Sequence, residues 1–188
     1  MSFKKILLCM TGASGSIYGL RLVKALKKAG AEVHLIISKW GSETLEYETG
    51  VSSDELFGQV DYVYDENELT AGPASGSFYL DGMVIIPCSM KTMAAIANGY
   101  ADNLITRAAD CSLKERRTLI LVPREAPMNL IHITNMKKAA NAGAIVFPAS
   151  PAFWHKPTTI EDLVDGFNDR ILIHLGVKDR PDFEWSGE

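Results

Sequence analysis

Short aliphatic and β-branched runs alternate with longer amphipathic segments along nearly the whole chain, and this constrains the fold more than any other feature. "KKILLCM" precedes a helical pattern from Ser16 to Ala29, and "AEVHLIIS" precedes one from Lys39 to Glu48. "GMVIIPC" leads into helical patterns from Met90 to Asn98 and Asn103 to Arg116. "TLILVP" leads to Ile131 to Asn141, and "AIVFPAS" to Thr159 to Leu175. Strands of about five residues separated by helices need crossover connections. The pattern therefore predicts a doubly wound parallel sheet with helices on both faces, a three-layer αβα domain of the α/β class. Between Asp65 and Tyr79, "DENELTAGPASGSFY" follows neither period and reads as a functional or disordered loop. No repeat or linker interrupts the 188 residues, which read as one domain. Its polar tail, Lys178 to Glu188, carries Phe183 and Trp185 and is expected to dock.

Composition narrows the function classes. A net charge of −4 argues against a general nucleic-acid binder, which needs a basic face. No apolar run approaches the roughly 20 residues of a membrane span. The opening "MSFKKILLCMTGASGS" imitates a secretion signal, but its apolar patch, Ile6 to Met10, is shorter than the roughly 7 to 15 residues such a signal uses. A cytoplasmic protein without membrane contact is expected. Cys9, Cys88 and Cys111 have no CxxC spacing, and His34, His132, His155 and His174 do not cluster with them. Buried reduced thiols and no metal site are the expectation.

Three strand ends carry residues suited to anions. The first strand runs into "TGASGSIYG", with Gly12, Ser14 and Gly15 at the turn into a helix, where backbone can approach a ligand and free N–H groups attract an anion. This is neither GxGxxG nor GxxxxGK[ST], so no dinucleotide or P-loop site is read here. A tight turn capped by Ser14 or Ser16 explains the stretch as well as a phosphate site does. In "IIPCSMKTMAAIA", Ser89 ends a strand and Lys91 and Thr92 open a helix, with a plain serine N-cap as the rival. Ser38 ends "HLIIS" likewise. Together these ends favour a nucleotide-like cofactor with a phosphate.

Two further segments carry charge. In "NLITRAADCSLKERR", Arg107 and Lys114 stand seven residues apart on one helix face, separated by roughly 10 Å along the axis. Asp110 is spaced to pair with either of them on a solvated face, at i+3 and i+4. In "LILVPREAPMN", Arg124 can hold a phosphate bidentately, and Glu125 can keep or pass a proton. A surface ion pair is the simpler explanation of those two neighbours.

In order along the chain, "TGASG", "PCSMKT", "LKERR", "LVPREAP", "PAFWHKP" and "EDLVD" resemble the flavin prenyltransferases, the UbiX family. The resemblance implies a Rossmann-like flavoprotein assembled as trimers, commonly packed into dodecamers. It implies transfer of a dimethylallyl group from dimethylallyl phosphate to N5 and C6 of reduced FMN without a metal, for use by a partner decarboxylase. By motif, Gly12, Ala13, Ser14, Ser38, Ser89, Met90, Lys91, Thr92 and Arg124 would hold FMN. Arg107, Lys114, Glu125 and Arg170 would surround the donor phosphate with Trp154 beside them, and Trp185 would be an aromatic wall. Ser14 and Glu48 would assist proton movements. Two positions depart from the family pattern: Trp154 stands where tyrosine is common, and Leu69 where some members have tryptophan.

Two rival functions remain. "APMNL" at Ala126 to Leu130 is superficially similar to the "PxMN" motif of FMN-dependent cysteine decarboxylases, but those use a histidine on an early helix, and His34 is predicted in a strand. A non-catalytic subunit that stores or delivers flavin would leave Glu48, Lys114 and Glu125 without a task.

Overall fold

The computed structural model describes residues 4–182 with Glu184, Trp185 and Gly187, so the expectation for Phe183 lies outside the described residues. Its strands are β1 (Lys5–Met10), β2 (Glu32–Ile37), β3 (Tyr62–Tyr64), β4 (Gly82–Cys88), β5 (Thr118–Pro123) and β6 (Ile145–Val146). They form one sheet in the order β3-β2-β1-β4-β5-β6, and every pairing is parallel. The helices are α1 (Ser16–Lys28), α2 (Lys39–Thr49), α3 (Ser53–Phe57), α4 (Met90–Ala97), α5 (Leu104–Lys114), α6 (Leu130–Asn141) and α7 (Ile160–His174).

Alternation along each strand divides the core into two layers. Ile6, Leu8, Met10, Leu35, Val84 and Ile86 pack with Leu22 and Val23 of α1 and Phe167 and Ile171 of α7. Leu7, Cys9, Met83, Ile85 and Leu121 pack with Met93 of α4 and Ile105 and Ala108 of α5. Burial on both faces is why these strands read as unbroken apolar runs. Each fully buried aliphatic side chain contributes about 1.5 to 3 kcal/mol. Cys9, Cys88 and Cys111 are free and buried. Burial pushes the Cys88 thiol up to about 12.

Between α2 and the polar loop, where the sequence pattern predicts no element, the chain forms the short α3 and the edge strand β3; the loop from Asp65 to Tyr79 itself carries a 3-10 turn at Gly72–Ala74. Propensity alone could not show β3, because it depends on pairing with β2 and on stacking of Tyr62 and Tyr64 against buried His34, at 4.6 and 5.8 Å. At the other edge, β6 is two residues long. Phe147 and Ala149 still donate to Leu121 and Pro123, but Pro148 between them has no N–H to offer. Among the described residues, no helix is long and apolar enough to cross a membrane.

The topology places a site. From β1 the chain moves to β2 and β3 on one side, then returns to β4 on the other. That reversal opens a crevice at the carboxyl ends of β1 and β4, where ligands of such sheets bind.

Candidate functional site at the carboxyl edge of the sheet

Thr11, at the end of β1, ties the two sides of the crevice together. Its backbone N–H and its hydroxyl both donate to the Pro87 carbonyl, at 3.1 and 2.9 Å, and its hydroxyl oxygen accepts from Ser89 N–H at 2.7 Å. Gly12, Ala13 and Ser14 follow on an exposed to half-buried loop. Gly15 then turns the chain into α1 with φ of 103°, a left-handed conformation that favours glycine.

Neither Ser14 nor Ser16 caps α1, contrary to the simple turn reading: its N-cap is Gly15, without a side-chain cap. The Glu48 carboxylate from α2 does that work instead, accepting from Gly15 N–H at 2.9 Å and Ser16 N–H at 2.8 Å. Burial pushes the Glu48 carboxyl up. Hydrogen bonds from the Ser14 side chain and the Ser16 and Gly15 N–H groups more than reverse this, and leave it below the usual carboxylate range.

The other two strand ends follow the same plan. Ser38 caps α2 by accepting from Gly41 N–H at 3.1 Å, and Ser89 caps α4 by accepting from Thr92 N–H at 3.3 Å. Met90 is half-buried, Lys91 exposed and Thr92 buried at the start of α4. Glu66 of the polar loop accepts from Lys39 N–H at 2.7 Å, at the start of α2. Acidic first turns are confined to α3, with Asp54 and Glu55, and α7, with Glu161 and Asp162; α1, α2 and α4, which start at the carboxyl ends of β1, β2 and β4, have none, as is also true of α5 and α6. Helix N-termini thus converge on the crevice, where Glu48 takes up the Gly15 and Ser16 N–H groups and Glu66 that of Lys39. The Gly12–Ser14 loop and the Lys91 end of α4 beside them fit the phosphate and polar edge of a flavin mononucleotide.

Arg124 and Glu125 lie at the end of β5, the former exposed and the latter half-buried. Glu125 accepts from Ala126 N–H at 3.1 Å. No ion pair among the described residues joins it to Arg124, so the simple surface pair is not formed.

The residues assigned to the donor fall into two groups. Trp154, Arg170 and Trp185 line one cleft of about 290 Å³ with Ala152, Gly166 and Pro181. The two indoles meet edge to face at 5.7 Å, and the Arg170 guanidinium lies 5.8 Å from the Phe147 ring. Trp185 remains 63% exposed. Arg107 and Lys114 sit on α5 against the 72–78 segment, where Arg107 Nε donates to the Ala74 carbonyl at 3.0 Å. Arg107 pairs with Asp110 at 2.7 Å, but Lys114 pairs with Glu115 at 2.5 Å rather than with Asp110. A larger cavity, of about 520 Å³, lies between α1, α7 and the tail, apart from both groups.

Thr11 and Glu66 were not legible from the sequence as residues of this crevice. Thr11 carried only the signal of a hydroxyl just before a strand-end glycine. Glu66 reaches the start of α2 through a contact distant in sequence.

The flavoprotein family model matches residues 1–172. A flavin prenyltransferase UbiX of Methanothermobacter thermautotrophicus is 46% identical over 98% of this chain and 97% of its own. The chain belongs to the flavin prenyltransferases, within the flavoprotein family. A crystal structure of AnUbiX in complex with FMN and dimethylallyl pyrophosphate matches with a TM-score of 0.95 at 44% identity, covering 100% of both chains. A dodecameric FMN-dependent UbiX-like decarboxylase from Escherichia coli O157:H7 matches with a TM-score of 0.93 at 42% identity, over 97% of this chain and 100% of that one. The peptidyl-cysteine decarboxylase EpiD, 22% identical with a TM-score of 0.62 over 80% of this chain and 89% of its own, shares the fold alone.

Proposed function

We propose that this protein transfers a dimethylallyl group from dimethylallyl phosphate to N5 and C6 of reduced FMN, making prenylated FMN for a partner decarboxylase. The observation that carries this reading is the convergence of the N-termini of α1, α2 and α4 on the crevice between β1 and β4. Reduced FMN, when bound, supplies the two nucleophilic ring atoms.

Gly12 to Ser14, Ser38, Ser89 to Thr92 and Arg124 hold the flavin. Arg170 and Glu125, with Arg107 and Lys114, hold the donor phosphate and stabilise it as the allylic C–O bond breaks. The faces of Trp154 and Trp185 exclude water from the allyl group and shield its developing positive charge. Glu48, its carboxylate fixed by two backbone N–H groups, works with Ser14 in moving protons as the new ring closes.

Arg107 and Lys114 make no described contact with the Trp154 cleft of their own chain. A homo-oligomer, trimer-based and packed into a dodecamer, would bring these cations to a neighbour's cleft. Mixing inactive Arg107→Ala with inactive Arg170→Ala subunits should then restore partial activity, and no recovery in verified mixed oligomers would refute the sharing.

The histidine of the cysteine decarboxylases has no counterpart in His34, which is buried in β2 against Tyr62 and Tyr64 of β3. The deciding experiment incubates the protein anaerobically with reduced FMN and dimethylallyl phosphate or pyrophosphate. Mass spectrometry should find a flavin enlarged by one five-carbon unit. Absence of the adduct with both donors would overturn the assignment.

A further inference from the structure

Among the described residues after α7 there is no helix or strand, yet Pro181, Glu184 and Trp185 wall the cleft that holds Trp154 and Arg170. Trp185 is too exposed for its own burial to fix it there. Backbone bonds from Val177 and Lys178 to the Leu172 carbonyl start the tail, and beyond them a carboxylate ties it to α7.

Asp169 is 6% exposed on α7, one residue before Arg170. One of its oxygens accepts from Lys178 Nζ, and the other accepts from Asp182 N–H at 2.7 Å. Lys178 also reaches the Asp182 carboxylate at 2.5 Å. Both ends of the 178–182 turn are thereby tied to a buried charge. Such a charge is costly to bury unless its oxygens are satisfied, and here the tail satisfies both. Asp169 borders the 290 Å³ cleft and the 520 Å³ cavity alike, so the tail lies as a strap between them.

We infer that Asp169 is a positioning residue for prenyl transfer, which straps the tail to α7 and so places Trp185 against Trp154 as the outer wall of the donor cleft. This rests on the function proposed above for the use of the cleft, but the strap itself is testable without the donor. Replacing Asp169 by Asn leaves one acceptor for two donors and turns an amide N–H toward one of them. The strap should release, and the donor should then pay for ordering the tail when it binds.

The chain has three tryptophans, and the edge-to-face pair Trp154 and Trp185 should give an exciton couplet in the indole region of the circular dichroism spectrum. Trp185→Phe identifies that couplet by removing it. Asp169→Asn should lose at least about half its amplitude, raise the KM for dimethylallyl phosphate about tenfold and change kcat less than about threefold, with FMN affinity unchanged. Asp169→Glu, which keeps the charge, should restore part of the amplitude. If Asp169→Asn does not fold, Lys178→Met, which keeps the bond to Asp182 N–H, should show a smaller change in the same direction. A wild-type couplet in folded Asp169→Asn, or in Lys178→Met if the former does not fold, would overturn the proposal. Loss of the couplet in a protein that never prenylates flavin would uphold the strap and refute the function assigned to the cleft.

Discussion

Gly41 is the point at which α2 comes closest to β1. A Cβ built on it would lie 2.7 Å from the Met10 carbonyl oxygen and 3.1 Å from both the Met10 carbonyl carbon and Ile37 Cγ1. The blocking atoms are mainly backbone at the end of a central strand, so they cannot swing aside. Gly41→Ala must therefore push the first turn of α2 outward by roughly 0.7 Å to reach ordinary contact. Alanine gains about 1 kcal/mol in helix propensity, whereas overpacking of this kind costs about 1 to 3 kcal/mol. A net loss of about 1 kcal/mol is expected, read as a lower urea midpoint. The functional effect should exceed the loss of stability, because α2 carries both Ser38 at its start and Glu48 on the Gly15 and Ser16 N–H groups. Calorimetric titration should show FMN bound about tenfold more weakly, equivalent to roughly 1.4 kcal/mol. Glu43→Ala, on the exposed side of the same helix, controls for propensity and should leave FMN binding unchanged. A Gly41→Ala protein more stable than the parent and binding FMN equally would show that the close approach places nothing.

Glu125→Gln should keep FMN affinity but slow prenyl transfer by about 10² to 10⁴ in single-turnover experiments, whereas Arg124→Ala should weaken FMN binding itself. Trp154→Phe should raise the KM of the allylic donor and lower kcat, since phenylalanine offers no N–H to the phosphate; unchanged kinetics with both donor forms would leave residue 154 a packing role only. His34 predicts a pH dependence of stability. Burial lowers its pKa below 6.5, with only partial opposition from its hydrogen bond to Glu32, so the unfolded state binds the extra proton first. Its contribution is complete above pH 6.5 and is lost as the pH falls through the lower folded value. Urea midpoints at pH 7.5 and 5.5 should differ less in His34→Gln than in the parent, and equal slopes would remove His34 as the cause.

The fold was legible because β1, β2, β4 and β5 are buried on both faces, so their apolar runs needed no knowledge of partners. β3 and the 3-10 turn depend on contacts with β2, His34 and α5, which a local pattern cannot contain. At the site, Ser38 and Ser89 revealed themselves as strand-end caps. For Glu48 the resemblance implied a part in proton movement, but nothing in "LEYETG" shows that its carboxylate reaches the start of α1. The ion pairing of α5 was half legible: Asp110 stands at allowed spacings from both cations, and the side chain reaches Arg107 alone.

Of the six strands, the one that comes first along the chain lies in the middle of the sheet, and this sets the order in which the sheet can be completed. β1 needs β2 on one edge and β4 on the other, so its second edge stays open until residue 88 has been synthesised. Arg124 emerges later still, after β5. Early intermediates on the ribosome thus expose an apolar template that flavin cannot protect, because the residues proposed above to hold flavin are not yet together. FMN can stabilise only the finished product. Flavin supply should accordingly raise the lifetime of folded molecules in the cell without speeding the completion of the sheet.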